Sequence, residues 1–312
     1  MQKLLLLLTL GVLFSLNSRA NAQSIIELYP EGIPCANELE DESEDRVANG
    51  MMLTRVHTPL LHHYAPVKRM ASGAAIMIIP GGGYVVEAWD LEGVDIANRF
   101  TVAGMEVFIL QHRLPRWETV ECKSHVALDD ARRGVQTIRM MADSLGFDRS
   151  KIAVMGFSAG GHLSGSAAVH PIAADSSSAS LVTTFSSRPD ASMMIYPVTI
   201  MDDGKDGHSG SAVSLLGEDY LKHELLDYYN LPAQVHPDVP PTFLVHASND
   251  KSVPPANALR YYEALISNKV PASLHIYANG GHGFGSGKDS SGPVRDWLDR
   301  ALDWLTGLGF VE

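Results

Sequence analysis

The sequence predicts an α/β fold, a mostly parallel central sheet with helices on both of its faces. Three observations lead there. From about residue 74 onward, short Val/Ile/Met-rich runs alternate with stretches of helical apolar spacing. Those runs are apolar at every position, as strands buried on both faces must be, whereas half-exposed strands alternate. Several runs end directly in glycine-rich turns, where the chain leaves a strand for a loop or helix.

In chain order, the first 22 residues read as a secretory signal peptide, with Lys3 as the basic start, an apolar stretch over residues 4–16, and Ala20-Asn21-Ala22 as the cleavage site. That apolar stretch is too short to span a bilayer comfortably. Cleavage after Ala22 places the mature chain outside the cytoplasm, secreted or periplasmic. Residues 23–50 form an acidic lead-in punctuated by Pro30, Gly32 and Pro34, and the charge run 38–45 reads as a solvated segment. Residues 51–312 read as the main α/β domain, with β-type alternation over 51–61 suggesting an edge strand. Residues 74–79 predict a central strand, 91–103 a helix ended by Gly104, and 105–110 the next strand. A long amphipathic helix over 126–145 closes at Gly146. Strands over 152–155, 192–196, 241–246 and 272–277 follow, with helices over 161–169, 257–267 and 294–305. Residues 197–238 break this rhythm with short helical patterns, and an insertion of that length reads as a small cap over a substrate pocket.

Composition sets bounds on function. The 312 residues are 45% hydrophobic and 19% charged, ordinary values for a globular protein, with a formal net charge of −12. Loss of Lys3 and Arg19 with the leader takes that to about −14, which argues against nucleic acid or an anionic membrane as partner. Two cysteines, Cys35 and Cys122, are too few and too far apart for a metal site. In an oxidising compartment they could form one disulfide; two buried thiols are the alternative. The acidic residues Asp202, Asp203 and Asp206 depart from Ca²⁺-loop spacing and lack its closing Glu, so they read as a solvated loop.

The chemistry centres on Gly156-Phe157-Ser158-Ala159-Gly160, which stands between a strand pattern and a helix pattern. A tight strand-to-helix turn lifts a serine Oγ clear of the sheet and leaves room only for glycine on either side. The alternative is a glycine-rich loop whose serine caps the next helix. A serine nucleophile needs a base, and the base needs an orienting carboxylate. On such a sheet these follow in the order Ser, Asp or Glu, His, in loops after later strands. Asp250 follows the strand 242–246, and His282 follows the strand 274–277 between Gly281 and Gly283. His246 and His275 lie inside strands and read as core or wall residues; His162, one turn after Ser158, reads as packing. Oxyanion donors are expected at the amides of Ala159 and, in the glycine-rich turn after residue 80, of Gly82 and Gly83.

Taken together, the stretches 78–84, 156–163, 246–254 and 280–284 resemble the α/β-hydrolase fold. Within it they resemble the esterase/lipase branch with a glycine-rich oxyanion loop, and the bacterial carbohydrate acetyl esterases that include acetylxylan-esterase-like and xylanase-B-like proteins. The resemblance runs over about residues 50–310. One departure is Pro80, where hormone-sensitive-lipase-like enzymes usually carry His. The resemblance implies hydrolysis of a short acyl ester, acetyl foremost, on plant polysaccharide or oligosaccharide, with no metal or organic cofactor called for. Rival readings are a general carboxylesterase or lipase, a prolyl-oligopeptidase-like peptidase, for whose propeller the lead-in leaves no room, and a catalytically dead carbohydrate-binding protein, which would be expected to lack a triad member.

Overall fold

A computed structural model describes residues 24–36, 43–47, 50–115 and 122–312, with the backbone alone for 43–47. The expected signal peptide, residues 1–22, and most of the charge run lie outside the described residues. The elements in chain order are β1 (Ser24–Glu27), β2 (Ser43–Val47), β3 (Gly50–Thr54), β4 (Leu60–Tyr64), β5 (Ala75–Ile79), β6 (Val86–Glu87), a π-helical turn Trp89–Val94, α1 (Asp95–Val102) and β7 (Glu106–Gln111). They continue with α2 (Val126–Leu145), β8 (Ile152–Phe157), α3 (Ser158–Val169), β9 (Ala191–Ile195), α4 (Ser209–Leu216), β10 (Thr242–Ala247), α5 (Ala256–Ser267), β11 (Ala272–Tyr277) and α6 (Trp297–Gly307).

Eight strands form one sheet in the order β1-β4-β7-β5-β8-β9-β10-β11. The six from β7 to β11 are parallel, and β4 and β1 add two antiparallel strands at one edge. The predicted mostly parallel sheet is therefore present. Its two faces are filled by alternate residues of the same strands: Ile76 and Ile78 of β5 join one apolar cluster, while Ala75, Met77 and Ile79 join the other. This is the period-two consequence of the pleat, with α1 and α6 covering one face and α2 and α3 the other. The long helix α2 ends where expected, at a left-handed Gly146.

The N-terminal segment carries strands that the sequence reading did not include. Ser24–Glu27 pairs antiparallel with β4, and Leu28 behind it is buried. Part of the charge run is a strand, since Ser43–Val47 pairs with Gly50–Thr54 in a second sheet, β2-β3-β6. Polar composition does not prevent backbone pairing at an edge, where one face of the strand meets solvent. The segment 51–61 accordingly serves two sheets, β3 in the small one and the start of β4 in the large one.

The chain leaves β5 to one side for β7 and returns on the other side for β8. Loops after β5 and β8 thus diverge at the carboxyl edge of the sheet and leave a crevice between them. The functional candidates lie there.

Candidate active site

Ser158 is the first residue of α3, directly after β8, and has φ 52°. A non-glycine residue in that left-handed region is strained, and the strain is held by the packed strand and helix on either side. Gly160 shows why the turn tolerates no side chain: a Cβ there would lie 2.3 Å from the Ile79 carbonyl oxygen. The helix starts at the serine itself, three residues earlier than its predicted start at 161. That leaves the Ala159 amide among the first-turn N–H groups that have no intrahelical acceptor.

Asp250 and His282 sit in the loops after β10 and β11, the two adjacent strands on the far side of β9. The three side chains form one hydrogen-bonded chain. Ser158 Oγ is 2.8 Å from His282 Nε2, and His282 Nδ1 is 2.7 Å from Asp250 Oδ2. Burial alone would raise the Asp250 carboxyl, but bonds from His246, His282 and the Val253 amide outweigh it and hold the group well below the usual carboxylate range. An ionised Asp250 only accepts, so His282 donates through Nδ1–H and its Nε2 is free to accept from the serine hydroxyl. Ser158 and Asp250 are nearly buried, while the His282 side chain retains 23% of its exposure.

The remaining bonds fix the carboxylate. Asp250 Oδ1 accepts from the amides of Ser252 and Val253, both at 2.9 Å. His246, expected to be a core or wall residue, is fully buried but also reaches the site. Its Nε2 donates to the Val253 carbonyl at 3.0 Å and lies 3.3 Å from Asp250 Oδ2. Strand position alone could not reveal this. The signal was the spacing His246–Asp250, four residues apart across a turn that folds the loop back on its strand. His275 is half-buried, its ring against Phe243.

His162 is placed as expected. Its Nε2 donates to the Tyr229 carbonyl at 2.9 Å and its Nδ1 accepts from Tyr84 Oη at 2.8 Å. Burial pulls its pKa down to about 4, so it is a neutral strut. It connects the turn after β5, which carries Tyr84, to the 197–238 segment. In that turn the Gly81 amide donates to Glu92 Oε2, leaving those of Gly82 and Gly83 without an acceptor among the described residues. Segment 197–238 packs Leu215, Tyr220 and Tyr229 into the core shared with α2 and α3. It also carries His208, whose Nδ1 caps α4 by accepting from the Ser211 amide and whose pKa is lowered by burial and then by the nearby charge of His282. Among the described residues no group of His, Cys, Asp and Glu is arranged to hold a metal ion.

The BD-FAE family profile matches residues 61–265. An acetylxylan esterase of Xylanibacter ruminicola is 32% identical over 219 residues, 69% of this chain and 42% of that protein. An endo-1,4-β-xylanase B of Butyrivibrio fibrisolvens is 33% identical over 216 residues, 67% of this chain and 32% of that protein. The chain thus aligns with less than half the length of either relative. A crystal structure of an acetyl ester-xyloside bifunctional hydrolase from Caldicellulosiruptor lactoaceticus superposes with TM-score 0.81 at 29% identity, covering 95% of this chain and all of the other. The fold is that of the α/β-hydrolases.

Proposed function

The chain belongs to the BD-FAE family of α/β-hydrolases, and from that premise we propose that it is a serine esterase removing short acyl groups, acetyl foremost, from plant polysaccharide or its oligosaccharides. The observation that carries the reading is the 2.8 Å contact between Ser158 Oγ and an imidazole whose other nitrogen is engaged by an ionised carboxylate. His282 Nε2 takes the hydroxyl proton as Oγ attacks the ester carbonyl, and Asp250 stabilises the imidazolium that results. The carbonyl oxygen gathers negative charge and is received by the amides of Ala159, Gly82 and Gly83. His282 then protonates the departing sugar oxygen as the C–O bond breaks, leaving acyl-Ser158. Water, activated by the same imidazole, releases the carboxylic acid and restores the serine. Every proton in this cycle is exchanged among Ser158, His282, substrate and water.

Acetyl as the acyl group and a xylan-type sugar as its carrier are suggested by the relatives, one an acetylxylan esterase and one an acetyl ester-xyloside hydrolase. The 197–238 segment serves as a small cap over the substrate site; it carries His208, whose pKa is lowered by burial and then by the charge of His282. Action outside the cytoplasm follows from reading residues 1–22 as a leader. No helix among the described residues is long and apolar enough to cross a membrane.

The test is acetate release from acetylated xylan, run beside p-nitrophenyl acetate and a long-chain p-nitrophenyl ester. Release from xylan and from the acetyl ester, both abolished in Ser158→Ala, is expected. Wild-type rates no higher than those of Ser158→Ala would refute the esterase reading, and a preference for the long chain would replace it with a lipase.

A further inference from the structure

One buried carboxylate in the crevice has no part in the proton relay. Glu92, in the π-helical turn before α1, is 4% exposed, and among the described residues no Lys or Arg pairs with it. Burial pushes the Glu92 carboxyl above its ordinary range, outweighing the Gly81 and Tyr196 hydrogen bonds and the charge of His282, which act the other way. Its two oxygens face in different directions. Oε2 accepts the Gly81 N–H at 2.7 Å, and Oε1 accepts the Tyr196 hydroxyl at 2.8 Å. The Tyr196 oxygen in turn accepts the Gly285 N–H at 3.1 Å, and the Gly285 carbonyl accepts Trp297 Nε1–H at 3.0 Å. Tyr196 follows β9 with φ 37°, and its ring packs edge-on against His282 at 5.0 Å and Phe284 at 4.5 Å.

We propose that Glu92 is a positioning residue that holds the glycine turn after β5 and the histidine loop after β11 in fixed relation around Ser158; this rests on the esterase reading above. The chain Gly81–Glu92–Tyr196–Gly285 is the buried polar connection between those two loops. Its action is geometric. Glu92 engages the Gly81 amide, so the oxyanion is left to the amides that follow, and their positions depend on where Gly81 is pinned. Only glycine fits at 81: a Cβ there would lie 2.4 Å from the Phe157 carbonyl oxygen, 2.8 Å from Glu92 Oε2 and 2.9 Å from Ser158 Cβ, so the turn packs closely beside both the carboxylate and Ser158. The same carboxylate, through Tyr196, sets the backbone three residues after His282. A sub-ångström shift of either loop would misplace charge stabilisation that exists only in the transition state.

Glu92→Gln keeps the shape but turns one acceptor into a donor, and Tyr196→Phe keeps the Gly81 contact while cutting the link to Gly285. Both variants, with wild type and Ser158→Ala, are measured for kcat and KM on p-nitrophenyl acetate, for Tm, and for affinity toward a small alkyl boronic acid that mimics the tetrahedral adduct. Glu92→Gln is expected to lose about 10- to 100-fold in kcat with KM within about threefold, and boronate affinity should fall in step. Tyr196→Phe should lose less, about threefold to tenfold, in the same pattern. A Glu92→Gln protein that folds and keeps wild-type kcat and boronate affinity overturns the proposal, as does a loss that merely tracks the folded fraction. If Glu92→Gln does not fold, wild-type kcat in Tyr196→Phe overturns it. Wild type no more active than Ser158→Ala would remove the esterase reading itself, a result distinguishable from failure of Glu92 alone.

Discussion

Asp250 holds more hydrogen bonds than orienting one imidazole requires. Two amides fix Oδ1 while His282 and His246 approach Oδ2, so the carboxylate is immobilised before any substrate binds. The backbone bonds survive if the charge is removed but the shape is kept. Asp250→Asn is therefore expected to fold with a Tm near that of wild type and to lose about 10³- to 10⁴-fold in kcat, because its amide can present a donor to Nδ1 and force the wrong tautomer on His282. Steady-state kinetics beside a melting curve checks this; a loss under tenfold would show that Asp250 does not orient the base. Of the residues around it, Ser158, Asp250 and His282 were legible because chain order and post-strand loops single them out. His246 and Glu92 were not. Glu92 did leave a trace, since it stands four and eight residues before the buried Ile96 and Phe100 and so falls on an apolar face where a carboxylate is out of place.

At the scale of elements, the N-terminal segment is built into the molecule. Strand β1 extends the sheet, Arg133 of α2 donates to the Leu28 carbonyl at 2.9 Å, and Cys35 is disulfide-bonded to Cys122, four residues before α2 begins. The pairing left open by the sequence is thus decided by topology, which brings the segment after β1 beside the start of α2. The bridge closes a loop with a sequence separation of 87, and on the chain-entropy account it stabilises the fold by about 4.6 kcal/mol. The Cys35→Ser, Cys122→Ser double variant should lose that much in denaturant unfolding and melt clearly lower, while kcat at 25 °C stays within about twofold because no site residue sits on the segment. An unchanged unfolding midpoint would contradict the assignment.

For the molecule as a whole, buried neutral histidines make acid the weak side of its stability. Burial lowers His112 and His162 from 6.5 to about 4. Depressed folded-state values mean that their contribution is complete above about pH 6.5 and is lost as pH falls toward 4. The unfolded chain binds protons that the folded one refuses, at about 1.4 kcal/mol per pH unit for each histidine. Glu92 and Asp130, whose carboxyls burial raises, work in the opposite sense. The comparison of wild type with His162→Gln therefore isolates one histidine. Tm should fall less steeply in the variant between pH 6.5 and 4, as followed by differential scanning calorimetry; identical slopes would show that His162 is not held neutral.

The sequence by itself determined the order of the central strands and helices, the turn that carries Ser158, and the post-strand loops that carry Asp250 and His282. Each of these is written in local terms: unbroken apolar runs, glycines flanking a serine, a histidine between glycines just past a strand. Tertiary structure alone decided what depends on partners distant along the chain. The edge strands of the polar lead-in exist because β3 and β4 offer free backbone to pair with, and no composition rule names the partner. The second histidine at Asp250 depends on how one loop folds back on β10. The Glu92–Tyr196 connection joins residues 104 positions apart, and only the crossover of the chain at the carboxyl edge of the sheet brings their loops within hydrogen-bonding reach. A hydrogen bond acts over about 3 Å, and distance along a sequence carries no information at that range until the strands are in order.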